Sequence, residues 1–536
     1  MDRLILTWSS KQSNFNLLLW YNMIKNNITR VLLTFFWVLI PFCWGFSQNK
    51  FLTRNQLMDK IKGGWAGQTI GTTYGWTTEF QYAGSYIQDY EKLPWHDDYI
   101  NVAMQAFPGL YDDVYMDLMF VNVFEKYGLN ASMADFGKAF AATEFQLWHA
   151  NQAGRYNVQN GIPADKAGHW LNNPHADDID FQIEADFAGL MSPGMPSVAT
   201  EISERIGQIV SSGDGLYGGV YVANMYSLAF VYDDIRVIVK EALKGIPKES
   251  KFSQVIRDVI KWHKQNPKDW KKTWFLLQAK WSEEVGCPSM VFHPLNIDAK
   301  MNAAFVVMGL LYGNGDYTKT AEIATRTGQD SDCNAATALG VLGTMIGYSQ
   351  IPAFWKDPVV KAEDKKFSFS EYALKDVYEI GLKHAILNLE MNGGHVLADK
   401  IVLPKLKFKA AAFEENFKGH FPKERNAINK AFEDELNFDI EGIGFVLRGH
   451  AIDTNPNSAK DLVAELFIDG QKIETMKFPT QNNKTRADLF WRYKLPKGKH
   501  NVLIKIAERS EFQKLFALDV LVYDNVPSNG LKNNLK

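Results

Sequence analysis

Gly328-Gln-Asp-Ser-Asp-Cys333, followed at once by the small-residue run Asn334-Ala-Ala-Thr-Ala-Leu-Gly-Val-Leu-Gly-Thr-Met-Ile-Gly347, decides how the chain is read. The run predicts a buried helix, and Asp330 and Asp332 stand at its start. Free N–H groups and the macrodipole favour negative charge at a helix N-terminus. One cap, however, needs one carboxylate. Two that converge on a point repel each other unless a cation lies between them, and hard divalent cations take such oxygen ligands. Taken alone, Asp-Ser-Asp is an ordinary cap. The metal reading therefore requires further ligands elsewhere in the chain.

Three other segments supply candidates. In Lys60-Ile-Lys-Gly-Gly-Trp-Ala-Gly-Gln-Thr-Ile-Gly71-Thr-Thr-Tyr-Gly75-Trp-Thr-Thr-Glu79, glycines 64, 67 and 71 recur at helical spacing and predict a bare stripe for close backbone packing. Glu79 follows in the loop. Tyr111-Asp112-Asp113-Val-Tyr-Met116 opens a second predicted helix, again with adjacent carboxylates. Asp97-Asp98 has a similar composition. Leu147-Trp-His149-Ala-Asn151-Gln-Ala-Gly-Arg155-Tyr-Asn157 sets hydrogen-bonding side chains beside aromatics.

Together these segments resemble the ADP-ribosylglycohydrolase family. Its marks are a glycine-rich first helix ending in Gly-Asp-x-x-Gly and a Glu, a Thr-Asp-Asp-x-x-Met segment, and a late Gly-Gly-Asp-Thr-Asp-Thr segment. Gly71 to Glu79, Asp112-Asp113 with Met116, and Gly328 to Cys333 match them in order, over about residues 53–355. The 33 residues from Glu79 to Asp112 suit the family and the 18 from Glu79 to Asp97 do not. The resemblance implies an all-α domain around one or two Mg2+ or Mn2+ ions, with Asp112, Asp113, Asp330 and Asp332 as ligands and Glu79 as the catalytic acid–base residue. Thr72, Tyr111 and Cys333 depart from the pattern: the family has Asp at the first position and ligand threonines at the other two. Magnesium disfavours a thiol ligand, so the departures bear on the number of ions. The insert from Trp148 to Gly219 looks unlike the basic family pattern and is expected to shape the substrate pocket. His149, Asn151, Asp178 and Asp186 are its candidate substrate-binding residues, with Asp178 or Asp186 ranked above Asp180 as a second acid–base partner.

The pattern is mainly helical from about 53 to 390, with predicted helices over Asp117–Tyr127, Glu201–Val210, Val220–Leu243 and Asn302–Tyr312. Near 395 it changes. Ile401–Lys409, Gly444–Arg448, Leu462–Ile468, Val502–Ile506 and Phe516–Tyr523 read as strands, with turn signals at Asp469-Gly470 and Pro496-Lys-Gly498. The expected fold is thus mainly α: an all-α ADP-ribosylglycohydrolase-like catalytic domain (53–392) followed by an antiparallel β-sandwich accessory domain (400–525). Trp491 and Tyr493 would be either a stacking face or core.

A net charge of −3 argues against a general nucleic-acid binder. Residues 1–47 read as an N-terminal extension and signal peptide. Val31–Cys43 is apolar but short for a membrane span, Lys25 and Arg30 precede it, and Gly45-Phe-Ser47 offers a cleavage site before Gln48. Export to the periplasm or the extracellular space is therefore expected, with no stable membrane span after cleavage. Cys287 and Cys333 then remain, as two thiols or one bridge.

The expected function is a secreted metal-dependent hydrolase of an N- or O-glycosidic bond in a glycan, a glycoside or a ribosyl-type substrate. The alternatives are a non-catalytic glycan-binding protein on the same fold and a true ADP-ribosyl-protein hydrolase.

Overall fold

The computed structural model describes residues 51–284, 286–455, 460–481 and 486–527. The predicted signal segment lies outside them. Helices occupy Arg54 to Met391, and two stacked sheets follow. The helices that build the site are α1 (Arg54–Gly75), α2 (Asp112–Tyr127), α3 (His149–Gln159), α4 (Asp180–Ile183), α5 (Asp186–Leu190), α6 (Gly213–Ala229), α7 (Ala299–Gly313), α8 (Ser331–Ile346) and α9 (Leu374–Met391).

The pairing of α1 with α8 organises the helical part, and glycine makes it close. A Cβ on Gly63 would lie 2.2 Å from the Gly343 carbonyl oxygen, and one on Gly67 2.2 Å from that of Leu339. A Cβ on Gly71 would lie 2.3 Å from the Ala335 carbonyl carbon. The stripe thus runs through glycines 63, 67, 71 and 75, four residues apart on one helix face. Gly64, expected in this stripe, faces Leu190 and Thr344 instead. Thr53 and Gln56 form a capping box that starts α1. The predicted run Asn302–Tyr312 lies within α7, which is buried along nearly its whole length.

One predicted helix is divided. Val220–Leu243 becomes the end of α6 and a separate helix over Ile235–Ala242. The Asp234 side chain accepts from the Arg236 N–H at 2.9 Å and so caps the second helix.

A small sheet ties the two ends of the helical part together. It consists of β1 (Phe51–Thr53), β2 (His395–Leu397) and β3 (Lys400–Val402), in the order β1-β3-β2. The strand expected over Ile401–Lys409 is only β3, and its partners belong to this sheet. The stacked sheets comprise β4 (Phe421–Phe432), β5 (Glu435–Gly442), β6 (Gly444–Asp453), β7 (Leu462–Ile468), β8 (Gln471–Phe478), β9 (Asp488–Arg492), β10 (Gly498–Glu508) and β11 (Gln513–Asp524). Their orders are β5-β10-β7-β8 and β4-β11-β6-β9, antiparallel throughout. Phe445, Leu447 and Leu515 of one sheet share a core with Leu462, Leu466 and Ile504 of the other. The alternating pattern of β7 lies behind this packing, since inward residues recur with a period of two.

The sheets and helices meet in an aromatic seam. Trp170 packs among Phe417, Tyr493 and His420, and Trp491 and Tyr523 belong to the same buried cluster. Trp491 and Tyr493 are therefore core, not an open stacking face. Hydrogen bonds stitch the seam: Trp491 Nε1 donates to the Leu171 carbonyl at 3.1 Å and Tyr523 Oη to that of Gly286 at 3.0 Å. Tyr156 Oη donates across it to the Lys477 carbonyl at 2.5 Å.

Candidate metal centre and its surroundings

The glycine stripe leads to the centre. At its end, a Cβ on Gly75 would stand 2.3 Å from the Asp332 Cα. The C-terminus of α1 is thus pressed against the start of α8. A single 3₁₀ turn, Trp76–Thr78, then delivers Glu79. Two contacts hold this turn to the junction: Thr78 Oγ1 lies 2.9 Å from Ser331 Oγ, and the Phe80 N–H donates to the Gln329 carbonyl at 2.9 Å. Phe80 and Gln329 both adopt positive φ, +54° and +59°, so the backbone on each side is bent around Glu79 and Asp330.

Asp112 and Asp113 open α2 and face the same place. The ligand atoms of Asp112, Asp113 and Cys333 lie within 4.8 Å of one another, as do those of Asp330, Asp332 and Cys333. The two carboxylate pairs therefore meet around one thiol. Asp113 Oδ1, Asp330 Oδ1 and Asp332 Oδ1 are buried with no hydrogen-bond partner. Such atoms are strongly disfavoured, and a hard cation would satisfy all three. The four predicted ligands thus fit a divalent ion. Asp97 and Asp98, by contrast, lie on the surface, and Asp97 pairs with Lys361 at 3.0 Å.

Tyr111, at the place of a family ligand, turns away. Its phenol oxygen lies 2.7 Å from Thr73 Oγ1 and its ring packs on Phe367. Thr72 keeps a weak link to the centre, donating to Asp113 Oδ2 at 3.4 Å.

The electrostatics follow from crowding carboxylates in a buried space. Burial and then the charges of Asp332 and Asp112 push the Glu79 carboxyl up to about 10. Asp112 and Asp330 are pushed up to about 7, mainly by burial. Asp113 and Asp332 rise well above the carboxylate range, from burial and from the neighbouring aspartates.

The insert supplies two flanks. On one, Asp186 of α5 accepts from Tyr226 Oη at 2.6 Å, and burial pushes it up to about 8. Asp117 stands beside it, bonded to Gln68 Nε2 at 3.3 Å. Sequence reading passed over Asp117, although it lies four residues after Asp113 and so on the same helix face. On the other flank, Asp180 accepts from the Asn151 N–H at 2.9 Å, and the Asn151 side-chain amide donates to Glu184. The charge of Asp180 acts directly on Asp112, so Asp180, ranked below Asp178 and Asp186, borders the centre. His149 sits on this flank at φ +40°, its ligand atom within 4.8 Å of those of Asp178 and Asp180. Burial holds its ring neutral, down at about 3.

Asp178 belongs to this flank and also to a second cluster. Its Oδ2 lies 2.9 Å from His175 Nδ1 and accepts from Cys287 Sγ at 3.0 Å. His175 Nε2 in turn lies 2.7 Å from Asp488 Oδ2, on β9. Nothing in the sequence joins residues 313 positions apart. Cys287 and Cys333 are both free and buried. A groove of about 980 Å³ opens elsewhere, between Trp281, Phe292, Lys300 and the segment Phe413–Pro422, and none of the four predicted ligands lines it.

No helix among the described residues is long and apolar enough to cross a membrane. No curated protein matches the chain. Among solved structures, an ADP-ribosylglycohydrolase-related protein complex is similar at 12% identity and a TM-score of 0.41, covering 62% of this chain and 99% of that one. A carbohydrate-binding module, CBM36, in complex with calcium and xylotriose gives 9% identity and a TM-score of 0.15, covering 20% of this chain and 92% of the module. A family GH115 4-O-methyl-alpha-glucuronidase with specificity for decorated arabinogalactans gives 13% and 0.16, over 61% of this chain and 41% of the enzyme. The ADP-ribosylglycohydrolase sequence model matches residues 53–380, a stretch that holds the glycine-lined helix, Glu79 and both carboxylate pairs. On that match the chain belongs to the ADP-ribosylglycohydrolase family.

Proposed function

We propose that this protein is an exported, metal-dependent hydrolase of an N- or O-glycosidic bond, acting on a glycan, a glycoside or a ribosyl-type small molecule. The observation that carries the reading is the meeting of two carboxylate pairs around Cys333, with Glu79 packed alongside. Asp112, Asp113, Asp330 and Asp332 would hold the ion, Mg2+ or Mn2+. Tyr111 is committed to Thr73 and Cys333 offers sulfur, so the set favours a single hard ion. A bound ion supplies positive charge that orients hydroxyl oxygens and offsets negative charge developing on them.

The chain's own residues supply the rest. Cleaving a glycosidic bond puts positive charge on the anomeric carbon and negative charge on the leaving group. Glu79 holds its proton because of burial and the charges of Asp332 and Asp112. With those aspartates neutralised its pKa falls toward the working range, as suits a general acid. Asp180 and Asp186 flank the centre and are the second acid–base candidates, while His149 and Asn151 would bind substrate hydroxyls.

Residues 53–392 would form the catalytic unit and 400–525 an accessory one. The apolar run 31–43 would direct export, with Gln48 at the mature N-terminus, which N-terminal sequencing of secreted protein checks. The activity test is sugar release by the purified protein with magnesium or manganese, over a panel of glycosides that includes ADP-ribosyl substrates. Release is expected to stop with chelator and to fall by about 10²–10⁴ in Glu79→Gln. Metal binding without release from any substrate would leave a non-catalytic binding protein.

A further inference from the structure

The cluster of His175, Asp178 and Cys287 is not used by the chemistry above. His175 Nδ1, Asp178 Oδ2 and Cys287 Sγ are mutually 2.9–3.0 Å apart. All three residues are at most 1% exposed. On the other side of the ring, Nε2 meets the Asp488 carboxylate at 2.7 Å. A carboxylate only accepts, so Nε2 carries a proton and Nδ1 of the neutral ring presents its lone pair. That lone pair then faces a carboxylate oxygen. Two acceptors so close need a proton between them, carried by the ring or by Asp178, or a metal. Asp178 Oδ1 adds a second, independent observation: it is buried with no hydrogen-bond partner, which a proton between His175 Nδ1 and Asp178 Oδ2 does not remedy.

We propose that His175 Nδ1, Asp178 and Cys287 Sγ form a zinc site, distinct from the four-carboxylate centre and adjoining its His149–Asp180 flank through Asp178, that fixes the turn after Cys287 against the segment His175–Asp180 and, through Asp488, against the stacked sheets. The donor set is imidazole, thiolate and carboxylate, which suits zinc and not magnesium. Asp488 is the outer carboxylate that sets tautomer and ring orientation in histidine–zinc sites. Three protein ligands leave the fourth tetrahedral position to Asp178 Oδ1 or to water. Ligand atoms around zinc stand about 3.4–3.6 Å apart, so the three must open by roughly half an ångström. The frame is otherwise fixed. The His175 N–H donates to Asn173 Oδ1 at 3.0 Å, and Ile179 and Ala299 bond to the opposing strand segment at 2.8 and 2.9 Å around the Asp178–Asp298 bridge. Binding converts the thiol to thiolate and releases its proton to solvent.

Cobalt reports the site, because a thiolate ligand gives a charge-transfer absorption band that oxygen ligands lack. The full chain, stripped with chelator, is titrated with Co2+. We expect a saturable band that disappears when Zn2+ is added, persists in Cys333→Ser and is lost in Cys287→Ser. Asp488→Asn keeps every ligand and should weaken cobalt binding about 10–100-fold, so the proposal remains testable if Cys287→Ser does not fold. Absence of the band in the unsubstituted protein overturns the proposal, and so does its loss in Cys333→Ser with retention in Cys287→Ser. Unchanged affinity in Asp488→Asn overturns the role given to Asp488. None of these readings depends on glycosidase activity.

Discussion

Gly75 and Asp332 are in backbone-to-backbone contact: a methyl group on the Gly75 α-carbon would lie 2.3 Å from the Asp332 Cα. The position of one pair of predicted ligands is therefore set by the helix that delivers Glu79. Gly75→Ala is expected to push the start of α8 away and to destabilise the protein by about 1–3 kcal/mol, the range for overpacking. It should also weaken metal binding. Urea denaturation and calorimetric metal titration of the variant check both effects, and unchanged values in both would remove this contact from the account.

The four carboxylates should not be interchangeable with other aspartate pairs. Asp330→Asn is expected to lower affinity for Mn2+ by on the order of 100-fold, since it replaces a charged oxygen ligand at a hard cation. Asp97→Asn, at the exposed pair beside Lys361, should bind as the unsubstituted protein does. Equal losses in the two variants would refute the assignment.

Asp186 gives a pH signature. Its folded pKa is raised to about 8, chiefly by burial, above the ordinary 3.9 of an unfolded aspartate. The folded state therefore holds a proton that the unfolded state has lost over the interval between them. Its stabilising contribution is complete below about pH 4 and disappears as the pH rises through about 8. In metal-free protein, Asp186→Asn should flatten this part of the stability–pH curve while keeping an oxygen that accepts from Tyr226 Oη. Denaturation midpoints from pH 4 to 8 decide it, and parallel curves would count against it.

The stacked sheets should not behave as a removable module. They share a buried aromatic cluster with the helices and bond to them through Trp491, Tyr523 and Asp488. Calorimetry of the full chain is expected to show one cooperative transition, and a chain ending at residue 393 should be unstable or aggregate through the exposed seam. Two independent transitions would contradict this.

Local features made much of the centre legible in the sequence. Asp112 and Asp113 are adjacent, Asp330 and Asp332 are one residue apart, both pairs stand at helix starts, and the glycine stripe is a helical repeat, so these patterns survive without a structure. Pairings over long distances did not show. Ile401 joins residues near the start of the helical part, and Asp488 reaches His175 from another sheet. Cys333 could be read as a departure from a motif, but not as the atom around which both carboxylate pairs gather. The break between α6 and the next helix depended on Asp234 as a cap, which an apolar run on either side conceals.

The aromatic seam has a consequence for ancestry. Trp170 and Phe417 lie outside the stacked sheets, Trp491 and Tyr523 lie within them and Tyr493 follows β9, yet all five share one buried cluster. Recombination that exchanged the sheets for an unrelated module would leave Trp170 facing water and His175 without Asp488. Exchange of the sheet unit would thus require the segment from Trp170 to His175 to change with it.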